Sequence, residues 1–177
     1  MNRSTFYRKR LVLLLSAFMF AASLSSVARA QDLIVPPQVA PPPMVYIPQE
    51  ERTQLLSARD EKAHTRLSLE LAEARLARAE QQTALKQFNA ATADLGVYQA
   101  LMEDAIQHLY RAGDGGNRSR DLFKRIEQSL HKHGARVEAI RRTTPGEFAG
   151  NVLALIKLIR ELRTEALDAF YSDSVLR

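Results

Sequence analysis

The sequence predicts an all-α protein: an antiparallel three-helix bundle with a long, projecting, coiled-coil-like N-terminal helix. Three observations carry that expectation. From about residue 49 onward Ala, Leu, Glu, Arg and Gln dominate, and no sustained period-two alternation marks a strand. Apolar residues recur at steps of three and four along the same region. The stretches 85–112, 119–142 and 145–171 are each about seven turns long, and short connections make successive helices antiparallel.

Residues 1–30 read as an export signal. Arg3, Arg8, Lys9 and Arg10 form a basic head, an apolar run follows from Leu11 to about Leu24, and Ala28-Arg29-Ala30 precedes Gln31. Small side chains at Ala28 and Ala30 suit a signal peptidase, which places cleavage before Gln31. The rival is an uncleaved apolar stretch over 11–28 that anchors the chain in the inner membrane. Ser16, Ser23, Ser25 and Ser26 weaken that rival. The expected location is therefore the periplasm or the exterior, with no stable membrane span after cleavage.

Residues 31–48 hold six of the seven prolines. Proline fixes φ and lacks a donor, so this stretch is expected to be an extended linker.

The first helix is expected over about 49–112, continuous and ~90 Å long at 1.5 Å per residue. Its second half carries a strong stripe through Leu85, Phe88, Ala91, Leu95, Tyr98, Met102, Ile106 and Leu109. Its first half has a weaker one, Leu56, Ala63, Leu67, Leu71 and Ala74, and is expected to project from the bundle, the alternative being that residues 49–84 fold back as a fourth helix. Gly96 is a candidate bend, and a split near 92–96 is the alternative to continuity. Gly113-Asp114-Gly115-Gly116 stops the helix, because glycine supplies left-handed geometry.

The second helix, about 119–142, buries Leu122, Phe123, Ile126, Leu130, His133, Val137 and Ile140. Gly134 is costly inside it. The third, 145–171, opens on Thr144-Pro145-Gly146-Glu147, which reads as a capping box. Its stripe is Phe148, Val152, Leu155, Ile159, Leu162, Ala166 and Phe170, and residues 172–177 are left as a tail.

Bulk composition narrows the function. The net charge of +5 belongs to the N-terminal segment: the five basic side chains of residues 1–30 account for it, and twenty of each sign remain. A neutral, exported chain argues against a nucleic-acid partner. There is no cysteine, so neither a disulfide nor a lipid-modified cysteine can form.

No catalytic, cofactor or metal constellation stands out. His131 and His133 are two apart on a helix and point to different sides. His64 has Asp60 and Glu61 beside it, the one loose candidate for a metal site. The glycine-rich turn matches neither a calcium loop nor a phosphate loop. No serine sits in a G-x-S-x-G setting. The expectation is a protein that is not an enzyme.

Charge is unevenly spread. Residues 31–117 carry −4, residues 118–143 carry +5, and residues 144–177 carry −1. Arg118, Arg125, Lys132 and Arg136 fall along one flank of the second helix, where they would hold an anionic surface or a partner. The competing explanation is that they pair with the acidic first helix.

The chain is similar in kind to small exported helical chaperones, a likeness of class that carries no residue across. The leading expectation is an exported, non-enzymatic interaction or structural protein of the cell envelope, self-associating or chaperone-like through its first helix. An anion-binding envelope module is the alternative, and a metal-responsive helical protein the further one.

Overall fold

The computed structural model describes residues 39–113 and 117–175, and these are all-helical apart from their connections. The helices are α1 (Gln49–Leu56), α2 (Glu61–Ala84), α3 (Phe88–Ala112), α4 (Asn117–Thr143) and α5 (Gly146–Val175). The signal segment with its cleavage residues Ala28, Ala30 and Gln31 lies outside the described residues, as do residues 31–38 of the linker.

α2 and α3 form one antiparallel hairpin, α4 and α5 a second. Pairs of contacts record the directions: His64 reaches Asp104 and Arg75 reaches Asp94 within the first hairpin, and Arg120 reaches the Phe170 carbonyl and Arg163 reaches Glu127 within the second. The hairpins pack side by side. α2 lies parallel to α4, as Glu73 meeting His133 and Glu80 meeting Arg136 show, and Phe88 of α3 touches Phe148 of α5. Tyr98, Leu101, Met102, Ile106, Ile126, Leu130 and Val137 form the fully enclosed centre.

The continuous helix over 49–112 is therefore corrected. The chain breaks twice, at residues 57–60 and 85–87. Asp60 accepts a hydrogen bond from the Ala63 amide at 2.7 Å and starts α2 afresh. Lys86 adopts φ of 59° and reverses the chain into α3. The projecting helix with a three-helix bundle is corrected with it: α2 folds back as a fourth helix.

The reason lies in the face that α2 buries. It consists of Thr65, Ser68, Ala72, Leu76, Ala79 and Thr83, not of the expected stripe. Small side chains let α2 approach α3 closely. Their hydroxyls are largely satisfied within the helix, Ser68 donating to the His64 carbonyl at 3.0 Å and Thr83 to the Ala79 carbonyl at 2.7 Å. Leu56 and Leu85, expected in the stripe, are exposed at the two breaks.

α4 and α5 bury the expected stripes, with Phe170 left half-buried. α4 runs unbroken through Gly134. The capping box does not form. The Thr144 hydroxyl turns back to donate to the Ile140 carbonyl at 2.8 Å, which closes α4. The amide of Phe148 instead donates to the Pro145 carbonyl at 3.0 Å. α5 continues to Val175, past the tail boundary expected at 172. Gly113 takes the left-handed φ of 64° that ends α3.

The described part of the linker is not a free spacer. Residues 39–48 lie extended across α5 and α3 as a strap. The Ala40 amide donates to the Glu147 carbonyl at 2.8 Å, and Asn151 Nδ2 donates to the Pro41 carbonyl at 2.9 Å. Gly96 marks this crossing and not a bend: a Cβ there would stand 2.5 Å from the Met44 carbonyl oxygen. That oxygen is backbone, so it yields only if the strap moves. Gly96→Val is expected to lift the strap, cost about 1–3 kcal/mol and lower Tm by several degrees. Faster hydrogen exchange at the Ala40 amide would register the lifting; unchanged exchange with unchanged Tm would contradict it.

Glu51 on α1, Arg75 on α2 and Asp94 on α3 join the strap's end to the first hairpin. Arg75 Nε donates to Glu51 Oε1 at 2.8 Å, and Nη1 to Asp94 Oδ1 at 2.7 Å. All three side chains are largely withdrawn from water.

Candidate anion-binding cleft

The seam where α2 runs beside α4 opens into a cleft of about 370 Å³. Four cations line it: Lys62 and Arg66 from α2, Arg125 and Lys132 from α4. Helical spacing places them in two pairs. Lys62 and Arg66 are four apart on one wall, and Arg125 and Lys132 are seven apart on the other, each pair on one helix face. Two carboxylates, Glu70 and Glu73, share the cleft.

Those carboxylates are already engaged. Glu70 sits 3.5 Å from Arg66 Nε in an exposed pair, and Glu73 bonds to Arg136 and His133. Lys62, Arg125 and Lys132 make no ion pair among the described residues. The cleft thus presents uncompensated positive charge on both walls.

Under the cleft floor lies a hydroxyl without a partner: Thr65 is 1% exposed, and its Oγ1 is enclosed and makes no hydrogen bond within the protein. A buried hydroxyl left unpaired costs on the order of 1–3 kcal/mol.

Beneath the cleft runs a chain of hydrogen bonds. His133, 4% exposed, approaches Glu73 Oε2 through Nε2 at 2.9 Å and the Tyr98 hydroxyl through Nδ1 at 3.1 Å. An ionised carboxylate only accepts, so Nε2 carries the ring proton and Nδ1 accepts from Tyr98. Burial holds the His133 pKa below the ordinary imidazole value, against the hydrogen bond and charge of Glu73. For Glu73, burial works upward, but Arg136 and then His133 outweigh it and keep the carboxyl below its usual range. Burial pushes the Tyr98 phenol up.

The flank expected from sequence is divided. Arg125 and Lys132 line the cleft. Arg118 is exposed at the start of α4 and does not. Arg136 is committed to a fork with Glu80, donating from Nε and Nη2 at 2.7 Å each, and to Glu73. The Glu80 bonds raise its pKa further, against burial. It behaves as the pairing explanation expects, and it separates the cleft from a second one of about 430 Å³ near Phe88 and Ile140.

Sequence reasoning missed the α2 wall. Lys62 and Arg66 sit in a segment of net negative charge, which hid them, and Thr65 gave no signal because its burial comes from packing.

The histidine reading around His64 is also revised. Asp60 is a helix cap, and His64 instead meets Asp104 Oδ2 at 2.8 Å while stacking on His108 with ring centroids 3.7 Å apart. The His64 bond, against burial, lowers the Asp104 pKa; burial, with the His64 charge, lowers that of His108. Among the described residues no group of three or more such side chains is placed to hold a metal ion. Nor is any described helix long and apolar enough to cross a membrane. No family model, curated protein or solved structure matches the chain.

Proposed function

We propose that the protein is an exported, non-enzymatic helical binding module whose α2/α4 cleft holds an anionic group of the cell envelope. One observation carries the reading: cations without ion-pair partners, Lys62 on one side and Arg125 and Lys132 on the other, stand on both walls of one cleft. Charge of this kind attracts anions over a Debye length. The export signal read in residues 1–30 puts such a module among anionic lipids and wall polymers.

The double variant Arg125→Glu/Lys132→Glu tests it. Both side chains are exposed, so Tm should change little. Each basic residue near an anionic surface contributes about 1 kcal/mol, so reversing two should weaken co-sedimentation with phosphatidylglycerol vesicles by roughly tenfold or more. Neutral phosphatidylcholine vesicles should retain neither protein. If parent and variant sediment alike with the anionic vesicles, the reading fails.

A further inference from the structure

The cleft brings fixed cations next to one group that can gain a charge near neutral pH. His133 lines the cleft, and its ring is held on both nitrogens, by Glu73 and by Tyr98. Resting on the reading just given, we propose that the cleft encloses a single oxyanion between Lys62 on one wall and Arg125 and Lys132 on the other, and takes up one proton at His133 as it binds. The ligand class is a compact sulfate- or phosphate-type group, free or borne on a lipid or polymer, since about 370 Å³ between two helices admits a headgroup and not a folded partner.

The geometry supplies each part. Lys62, Arg125 and Lys132 neutralise charge from both walls. The charged and titratable groups set about the His133 ring are Glu73 and Glu80 from α2, Tyr98 from α3, and Arg136 from its own helix, with Lys132 at the rim. In the neutral ring, Nδ1 accepts from the Tyr98 hydroxyl. When a solvent proton reaches Nδ1, both nitrogens donate, and the phenol oxygen turns to accept.

The sign follows. In the empty cleft, burial keeps the ring neutral at neutral pH. A bound anion favours the charged ring and raises its pKa. Affinity therefore climbs as pH falls through the pKa of the filled cleft, and levels off below that of the empty one. Glu73 does not account for such a rise, because its pKa lies below the usual carboxylate range and it stays ionised over pH 5–7.5. A shift of about one pK unit corresponds to about tenfold tighter binding.

The test is calorimetric titration of the mature chain with sulfate, which does not titrate over this range, at several pH values and in buffers of different ionisation heat. Expected are an affinity about tenfold higher at pH 5 than at pH 7.5 and an uptake approaching one proton per anion. His133→Gln should give a flat pH profile, whatever its affinity at pH 7.5. His131→Gln, on the exposed side of α4, should keep the linkage. Should His133→Gln not fold, Tyr98→Phe serves instead: it leaves the protonated Nδ1 without its acceptor, and the loss of that charge-assisted bond moves the profile to lower pH. Release of bound phosphatidylglycerol vesicles by sulfate would place both sources of oxyanion in the one cleft. Sulfate binding with no proton uptake, or with uptake that survives His133→Gln, overturns the inference and leaves the anion-binding reading standing. Vesicle binding without sulfate binding overturns the enclosed oxyanion alone. Binding of neither overturns both.

Discussion

A chain that begins at Leu85 is expected to show no cooperative thermal transition and to bind a hydrophobic dye strongly. Removing residues 49–84 strips α3 of its antiparallel neighbour. Ser68, Ala72, Leu76 and Ala79 are fully buried in the intact protein, and their loss bares the side of α3 that they cover. The strap and α1 depart as well, with Leu55 and the Glu51–Arg75 pair. What remains is three helices with one side of their core open to water. Net stabilities of about 5–15 kcal/mol do not survive such a loss. Circular dichroism melting and dye fluorescence read the outcome: a broad melt with raised fluorescence is expected. A sharp transition with native helix content would show that α2 is dispensable to the core. It would also restore the idea of a separable helix used for association.

Arg75→Leu is expected to destabilise the protein by about 3–5 kcal/mol, the largest effect of any single substitution at a polar position here. Arg75 bridges Glu51 and Asp94, whose side chains are 12% and 5% exposed. Glu51 Oε2 and Asp94 Oδ2 already lack hydrogen-bond partners, although Arg78 Nε stands 3.4 Å from the latter. Taking away the guanidinium strands two carboxylates in a poorly hydrated setting. Urea unfolding gives the magnitude. Arg75→Lys keeps the charge but not the planar fork, so it should recover only part of the loss. Replacing all three residues by leucine should recover more than Arg75→Leu alone, since no buried charge is then left unpaired. A loss below about 1 kcal/mol for Arg75→Leu would mean that water reaches both carboxylates.

Much of the helical architecture was legible along the chain. The stripes from Ala91 to Leu109, Leu122 to Ile140 and Phe148 to Ala166 are buried as their spacing implies. Large apolar side chains at steps of three and four reveal which way a helix faces, whatever packs against it. α2 escaped this reasoning because its buried face is made of Thr, Ser and Ala, which hydropathy does not separate from a solvent face. The break at 85–87 escaped it because Lys86 takes a left-handed φ that no local glycine announced. Gly96 was visible as an anomaly, yet the explanation lay about fifty positions away in Met44.

The candidate cleft divides the same way. Arg125 and Lys132 could be read from the charge of residues 118–143, because like charges on one helical flank are a local property. Lys62, Arg66 and the Thr65 hydroxyl could not, since they meet that flank only when α2 lies parallel to α4. Residue order alone determined the helical class, the three strong apolar faces and the basic flank, through backbone propensity and periodicity. Tertiary structure decided that a small-residue face folds inward, that a proline-rich strap crosses Gly96, and which cations share a cleft. Each of these depends on how closely two distant segments can approach, and that distance is a property of the packed molecule.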